Sequence, residues 1–444
     1  MRRIRLARNL GFWDSVLLGI GFIVGSGIFI MPLVAAQTSG SWSIFAWIAA
    51  GLYTLITGLC FAELAVRIPK AGGLYAYAHD VFGDFLGFFT GYSFWLGYWI
   101  TIAVEILALA WYLSFFTHLS FDLRLAISVF IGFVLTLVNY KGVRWGSNVE
   151  DFLTIGKLIP LAILIIAGLA LFNPVSFSNG FAVPASQNLV SAFLASLVLV
   201  LWAFQGVEII TVPQEEIKNA KKTVPKAIIV SVLSVLALYL LVVLVVLGSV
   251  QWQNYVASES ALADIGEALI GGWGGTLLAL GGLVSILGAL NAVILASARI
   301  SYAMARDNLF PKIFEHLHDR HKTPDYALVL QFAFAGVLVW MYRDFVFMAS
   351  LAVFFTLIPW FFSCLAAWKM QLREHPRSLF NHVAIPTLAT VSTALLLLYL
   401  LPQYWLFALL TGLLGLVYFL AKRGGHGSQA HSLRNSSGKS RRKF

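Results

Sequence analysis

Gly19-Ile20-Gly21-Phe22-Ile23-Val24-Gly25-Ser26-Gly27-Ile28-Phe29 lies inside an apolar segment long enough to cross a bilayer. Gly25, Ser26 and Gly27 are poor helix formers placed together at its midpoint. A glycine inside a helix costs about 1 kcal/mol relative to alanine, so a helix that only fills lipid gains nothing from them. Two readings are open from this segment alone. Local unwinding would free backbone N–H and C=O groups to bind a small polar ligand at membrane depth. Alternatively, the small residues let a second helix approach closely.

The segment belongs to a chain that is 59% hydrophobic and only 11% charged. Apolar runs of this length recur throughout, the pattern of a multi-pass α-helical membrane protein. The short alternating segments of a β-barrel are missing. Twelve spans are predicted, near 12–37, 42–67, 83–117, 123–140, 147–172, 189–213, 225–250, 274–306, 325–342, 345–369, 382–401 and 403–421. The basic start Met1-Arg2-Arg3-Ile4-Arg5 leads into a span too long for a cleaved signal sequence, and none is expected. Cys60 and Cys364 both fall in apolar spans and read as small core residues, not as a disulfide or metal pair.

Basic residues cluster in alternate loops. Arg67 and Lys70 follow the second span; Lys141 and Arg144, Lys218 to Lys226, Arg306 to Lys322 and Lys369 to Arg377 follow later even-numbered spans. The opposite loops hold Arg124 and Arg343. This asymmetry predicts cytoplasmic termini, and it accounts for the net charge of +10 without invoking nucleic acid. The segment 422–444, rich in Gly, Ser and bases, is expected to be a disordered cytoplasmic tail with a weak attraction to anionic lipid.

The sixth span repeats the anomaly of the first. Trp202-Ala203-Phe204-Gln205-Gly206-Val207-Glu208 places a polar residue, a glycine and an acid at mid-membrane depth, five spans later. Two interrupted helices at matching positions are the signature of an inverted-repeat transporter. The predicted domain therefore runs over 1–421, with one repeat near 12–172, a second near 189–369 and two extra helices at 382–421. Half-helix N-termini suit a carboxylate and unwound carbonyls suit an ammonium. A zwitterionic amino acid carries both groups. The candidate binding residues are Ile23, Gly25, Ser26, Gly27, Trp202, Phe204, Gln205 and Gly206. On this basis Ser26→Leu or Gly27→Leu should abolish binding in a protein that still folds.

Ionisable residues inside spans are costly enough to suggest function. Lys157 either snorkels to the cytoplasmic face or is a buried amine that carries a coupling proton beside the first break. Glu208 either braces the broken sixth span or handles a proton. Glu105 either binds polar groups inside the bundle or is a structural partner. His316, His318 and His321 share a charged loop whose spacing fits no standard zinc pattern. No Walker loop, nucleophile elbow or metalloprotease motif is present, so neither an enzyme nor a cofactor is expected.

Four stretches together resemble the amino acid–polyamine–organocation (APC) transporter superfamily. They are Gly25-Ser26-Gly27-Ile28-Phe29; Ala62-Glu63-Leu64 through Pro69-Lys70-Ala71-Gly72-Gly73-Leu74-Tyr75; Phe204-Gln205-Gly206-Val207-Glu208 with Glu215-Glu216-Ile217-Lys218-Asn219 and Val224-Pro225; and Arg306-Asp307-Asn308-Leu309-Phe310-Pro311 with Thr323-Pro324. The resemblance implies a leucine-transporter-like fold of five plus five inverted helices with two added at the end. It implies that the Ser26 and Gly27 amides meet a substrate carboxylate, and that carbonyls near Ile23, Trp202 and Gln205 meet its amino group. Lys157 matches a lysine of some proton-coupled and exchanger branches, where the amine stands in for sodium. Glu105 is similar to a span-3 acid of another bacterial branch. Leu290 stands where arginine–agmatine antiporters carry a stacking tryptophan. The expected function is transport of a neutral amino acid across a cytoplasmic membrane with proton coupling; exchange of an amino acid or polyamine is the alternative.

Overall fold

The structure, a computed structural model, describes residues 10–68, 72–141, 147–181, 188–211, 217–255, 258–373 and 383–440, with backbone alone at 147–153, 373 and 423–440. The motif residues Pro69, Lys70, Ala71, Glu215 and Glu216 and the basic starts and turns at Arg2 to Arg8, Arg144 and Arg377 lie outside the described residues.

Fifteen α-helices follow one another: α1 (Phe12–Ile23), α2 (Gly27–Ser39), α3 (Ser43–Arg67), α4 (Leu74–Phe82), α5 (Asp84–Tyr112), α6 (Phe121–Tyr140), α7 (Ser147–Ala170), α8 (Pro174–Asn179), α9 (Leu189–Ala203), α10 (Ala220–Gly248), α11 (Ala261–Ile270), α12 (Gly272–Arg306), α13 (Asp325–Met341), α14 (Phe345–Arg373) and α15 (Ile385–Ser440). Among the described residues there is no strand, only an isolated bridge between Leu10 and Ile217. Eight stretches there are long and apolar enough to cross a membrane. Leu, Val and Phe side chains stand exposed along α6 and α15, as at Phe130, Phe133, Leu395 and Leu414. A water-facing surface would not hold so large an apolar area; a lipid-facing one requires it.

The first predicted span is two helices. α1 stops at Ile23, and Val24 leaves the helical region at φ −78°, ψ 84° before α2 starts at Gly27. The sixth is likewise interrupted: α9 stops at Ala203, and after residues 204–206 the chain continues as a 3₁₀ turn over Val207–Thr211. The small residues coincide with both the interruption and a close helix approach. A Cβ on Gly27 would lie 2.5 Å from the Ala203 Cα, so Gly27 is where the two broken helices touch. Gly206 adopts φ +108°, which favours glycine, and a Cβ there would lie 2.8 Å from the Phe22 carbonyl oxygen.

The last two predicted spans are one helical assignment, α15, with Pro402 inside. Its contacts nevertheless reverse direction. Thr393 meets Tyr53, and Tyr404 packs on Phe347 and Phe354 near the start of α14. Phe419 then packs on Phe85 and Phe88 at the start of α5, and Lys422 donates to the Phe310 carbonyl at 2.7 Å. Lys369, near the end of α14, reaches the neighbouring Val81 carbonyl. The chain therefore turns back near Pro402, the residue that removes a helical hydrogen bond.

Three short helices were not readable from hydropathy. α4, α8 and α11 have 9, 6 and 10 residues, too few to span a bilayer. α4 is fixed by the Tyr75 hydroxyl donating to Asp307 at 3.0 Å. At the other end of the bundle Arg124 pairs with Glu259, just ahead of α11, and with the Ala110 carbonyl.

Gly206→Ala must place a methyl on a carbonyl oxygen at a positive φ, a strain of roughly 1–3 kcal/mol. Gly288 in α12 has open space around the same methyl. In detergent-purified protein Gly206→Ala should lower the melting temperature by several degrees, while Gly288→Ala should leave it equal or higher. Equal melting of the two variants would remove Gly206 from the helix contact.

Candidate functional site

The two breaks face each other across a cavity of about 60 Å³. From the first segment it is lined by Phe22, Ile23, Gly25, Ser26 and Gly27. The second contributes Trp202, Gln205, Gly206, Glu208 and Ile209. α5 adds Tyr98, Thr101 and Glu105, and α12 adds Ala289, Ala292 and Val293.

The backbone of the first break sorts into used and unused groups. Val24 N–H donates to Ile20, Gly25 N–H to Ile23, and Phe29 N–H to Ser26. The N–H groups of Ser26, Gly27 and Ile28 donate to no other backbone group among the described residues. They open α2, so unpaired donors and the positive end of a helix dipole coincide at the cavity wall. The carbonyls are held from outside. Ser285 of α12 contacts the Val24 and Gly25 carbonyls at 3.1 and 3.0 Å. Tyr239 of α10 contacts the Ile23 and Ala203 carbonyls at 2.9 and 3.0 Å, one from each break.

That last contact bears on one expectation. The Ile23 carbonyl accepts from Gly25 N–H and shares the single Tyr239 O–H with the Ala203 carbonyl, so it is already engaged. The Trp202 carbonyl accepts from Gln205 N–H. The Gln205 carbonyl accepts no backbone N–H among the described residues and is the open one of the three. Phe204 also differs from its assignment: it is absent from the lining, because its ring packs on Trp47 and Tyr239. Leu290 is fully buried outside the lining, and α12 presents Ala289, Ala292 and Val293 instead. A wide aromatic platform on that wall is therefore lacking.

The buried ionisable groups flank the breaks. Lys157 is 4% exposed and donates to the Gly21 carbonyl at 2.6 Å, the last turn of α1; it does not snorkel to water. Glu105 accepts from the Ser26 hydroxyl at 2.9 Å, and its second oxygen is buried without a hydrogen-bond partner. Trp202 Nε1 reaches the same Ser26 hydroxyl at 3.4 Å. Glu208 accepts from the Tyr98 hydroxyl at 2.9 Å and from Gly206 N–H at 3.2 Å, so it braces the turn that carries it. Outside the site, His318 and His321 stack on each other, and His316 pairs with Asp325.

Sequence reading missed Thr101, Tyr239, Ser285 and the three α12 residues. Each sits in a regular helix with no local anomaly; a hydroxyl among apolar neighbours was the sole signal for Tyr239 and Ser285.

Paired helix breaks enclosing unpaired amides and buried charges, within a bundle of lipid-length helices, define a membrane transporter. A family model described as amino acid permease matches residues 10–427, and the chain belongs to this family. It is 32% identical to a serine/threonine exchanger of Bacillus subtilis (strain 168), over 75% of this chain and 77% of that protein. It is 31% identical to Asc-type amino acid transporter 1 of Homo sapiens, over 74% and 65% of the two chains. A large neutral amino acids transporter small subunit 2 of Oryctolagus cuniculus is 29% identical, over 73% and 63%. The matches span under two thirds of the second and third of these proteins. The chain is thus an integral multi-pass membrane transporter and not an enzyme.

Gly27→Leu cannot isolate binding from folding, because its side chain would enter the Ala203 backbone. Ser26→Ala can. It keeps the three amides and removes the hydroxyl that Glu105 and Trp202 share. Its loss frees Glu105 and Trp202 from the segment that carries the amides, so ligand affinity should fall, by roughly tenfold, in a folded protein. An unchanged dissociation constant would take the Ser26 hydroxyl out of the site.

Proposed function

We propose that the protein carries small neutral amino acids across a cytoplasmic membrane by alternating access, with a proton as the coupling ion. The carrying observation is the trio of unpaired amides at Ser26, Gly27 and Ile28. They suit an α-carboxylate, and the open carbonyl of Gln205 suits an α-ammonium. The cavity volume supports a small side chain. The names of the relatives support neutral substrates, and the α12 wall of Ala289, Ala292 and Val293 offers nothing for a long cation to stack on.

The architecture in this proposal is twelve crossings: two inverted repeats of five, near 12–172 and 189–369, followed by the two limbs of α15. Both termini are cytoplasmic. The described bases support that orientation, with Lys218, Lys221, Lys222, Lys226 and Lys369 toward one end and Arg124 and Arg343 toward the other. The basic segment 422–444 is a cytoplasmic tail in the same reading.

Lys157 is the coupling residue. Its ammonium donates to the Gly21 carbonyl in the last turn of α1, whose helical partner, the Gly25 N–H, lies in the unwound stretch. Loss of the proton removes that charge-assisted bond and frees α1 to move relative to α7. Glu105 and Glu208 hold the ligand-side faces of the two breaks. A second reading, strict exchange, is favoured by the relative named as a serine/threonine exchanger.

The test uses reconstituted vesicles. An inward proton gradient should drive accumulation of labelled alanine or serine above the external level, and Lys157→Ala should abolish accumulation while binding persists. Accumulation by Lys157→Ala with unchanged pH dependence would overturn the assignment. Uptake by wild type that requires internal amino acid and ignores the proton gradient would establish exchange instead.

A further inference from the structure

We infer that the Gln205 carboxamide selects substrates by a hydrogen bond to a side-chain hydroxyl or amide, so that this carrier prefers threonine to its isostere valine. The inference rests on the amino acid reading above and extends it from the α-groups to the side chain.

The cavity's other polar side chains are already engaged with the protein. Ser26 donates to Glu105, and Trp202 reaches Ser26. Thr101 donates to the Gly97 carbonyl at 2.9 Å within its own helix. Tyr98 donates to Glu208, whose other oxygen accepts from Gly206. Glu105 keeps one unpaired oxygen, but that atom is sealed from the cavity space. Gln205 is different on both counts. It is the one residue of 202–208 with appreciable accessible surface, and its carboxamide makes no hydrogen bond among the described residues.

A ligand that fills the cavity without offering this carboxamide a partner leaves it unpaired, a penalty of about 1–3 kcal/mol. Leucine or methionine in place of Gln205 would fill the same volume without it. The remaining wall residues, Ile209, Ala289, Ala292 and Val293, are apolar. They fit a methyl group as readily in threonine as in valine. Discrimination between the two therefore falls to the amide, which donates and accepts and so serves a hydroxyl in either sense. A site built around such a group disfavours a ligand that lacks the partner, because the amide is then left buried and unsatisfied.

The experiment measures threonine and valine as competitors of labelled alanine uptake in proteoliposomes, with serine against alanine dissociation constants as a second pair. Wild type should bind threonine about tenfold or more tightly than valine. Gln205→Leu and Gln205→Met should bring the ratio near one or invert it, whatever their absolute rates, since only the ratio reports the hydroxyl. A general packing defect would weaken both competitors alike and leave the ratio unchanged. A wild type that does not distinguish the pair, or variants that keep the preference, overturns the inference while transport stands. If no amino acid is taken up or bound by wild type, the transport reading itself fails.

Discussion

A helix that stops inside a membrane leaves backbone donors and acceptors with no water to receive them, and each unsatisfied group is costly. This constraint organises the molecule. α1 and α9 both stop at mid-depth, and the structure answers with side chains brought from elsewhere in the sequence. The Tyr239 hydroxyl lies between the Ile23 and Ala203 carbonyls and so ties one break to the other. Ser285 serves the next two carbonyls, and Glu208 receives the Gly206 amide. What is left over after this accounting is chemically specific: three amides on one side of the cavity and an open carbonyl on the other.

The same accounting explains where charge is tolerated. A lone ammonium or carboxylate in an apolar interior is unstable without partners. Lys157 is placed on a helix C-terminus, where carbonyls and the negative end of the dipole favour a cation. Glu208 caps a turn, and Glu105 takes a hydroxyl from the segment that opens α2. Each charged group therefore sits against one of the two helix breaks. A change in any one bears on the geometry of the break beside it.

Opening such a site also requires contacts at both ends of the bundle to part. At one end Tyr75 joins α4 to Asp307 beyond α12, and Lys422 joins α15 to the Phe310 carbonyl. At the other Arg124 joins α6 to Glu259 and to the end of α5. These are single polar contacts, weaker than the apolar packing of α3, α5 and α14 around them. They can exchange without unfolding the helices they join.

The sequence by itself determined the membrane class, the rough bounds of several lipid-length segments, and the two breaks. Each depends on local composition: apolar runs for the first two, glycine and polar residues at mid-span for the third. It also singled out Lys157, Glu105 and Glu208, because charge within an apolar run is conspicuous. Only the tertiary structure decided which groups remain open. The Ile23 carbonyl shares the Tyr239 hydroxyl with Ala203, and Phe204 turns to Trp47, although both stand beside the breaks in sequence. Gly27 serves as the contact point with Ala203, a fact invisible until the helices are packed. The return of α15 at Pro402 and the Ala289, Ala292 and Val293 wall rest on contacts between segments far apart in the chain. Local sequence sets where a helix fails; the surroundings set which of the freed atoms find partners and which are left for a ligand.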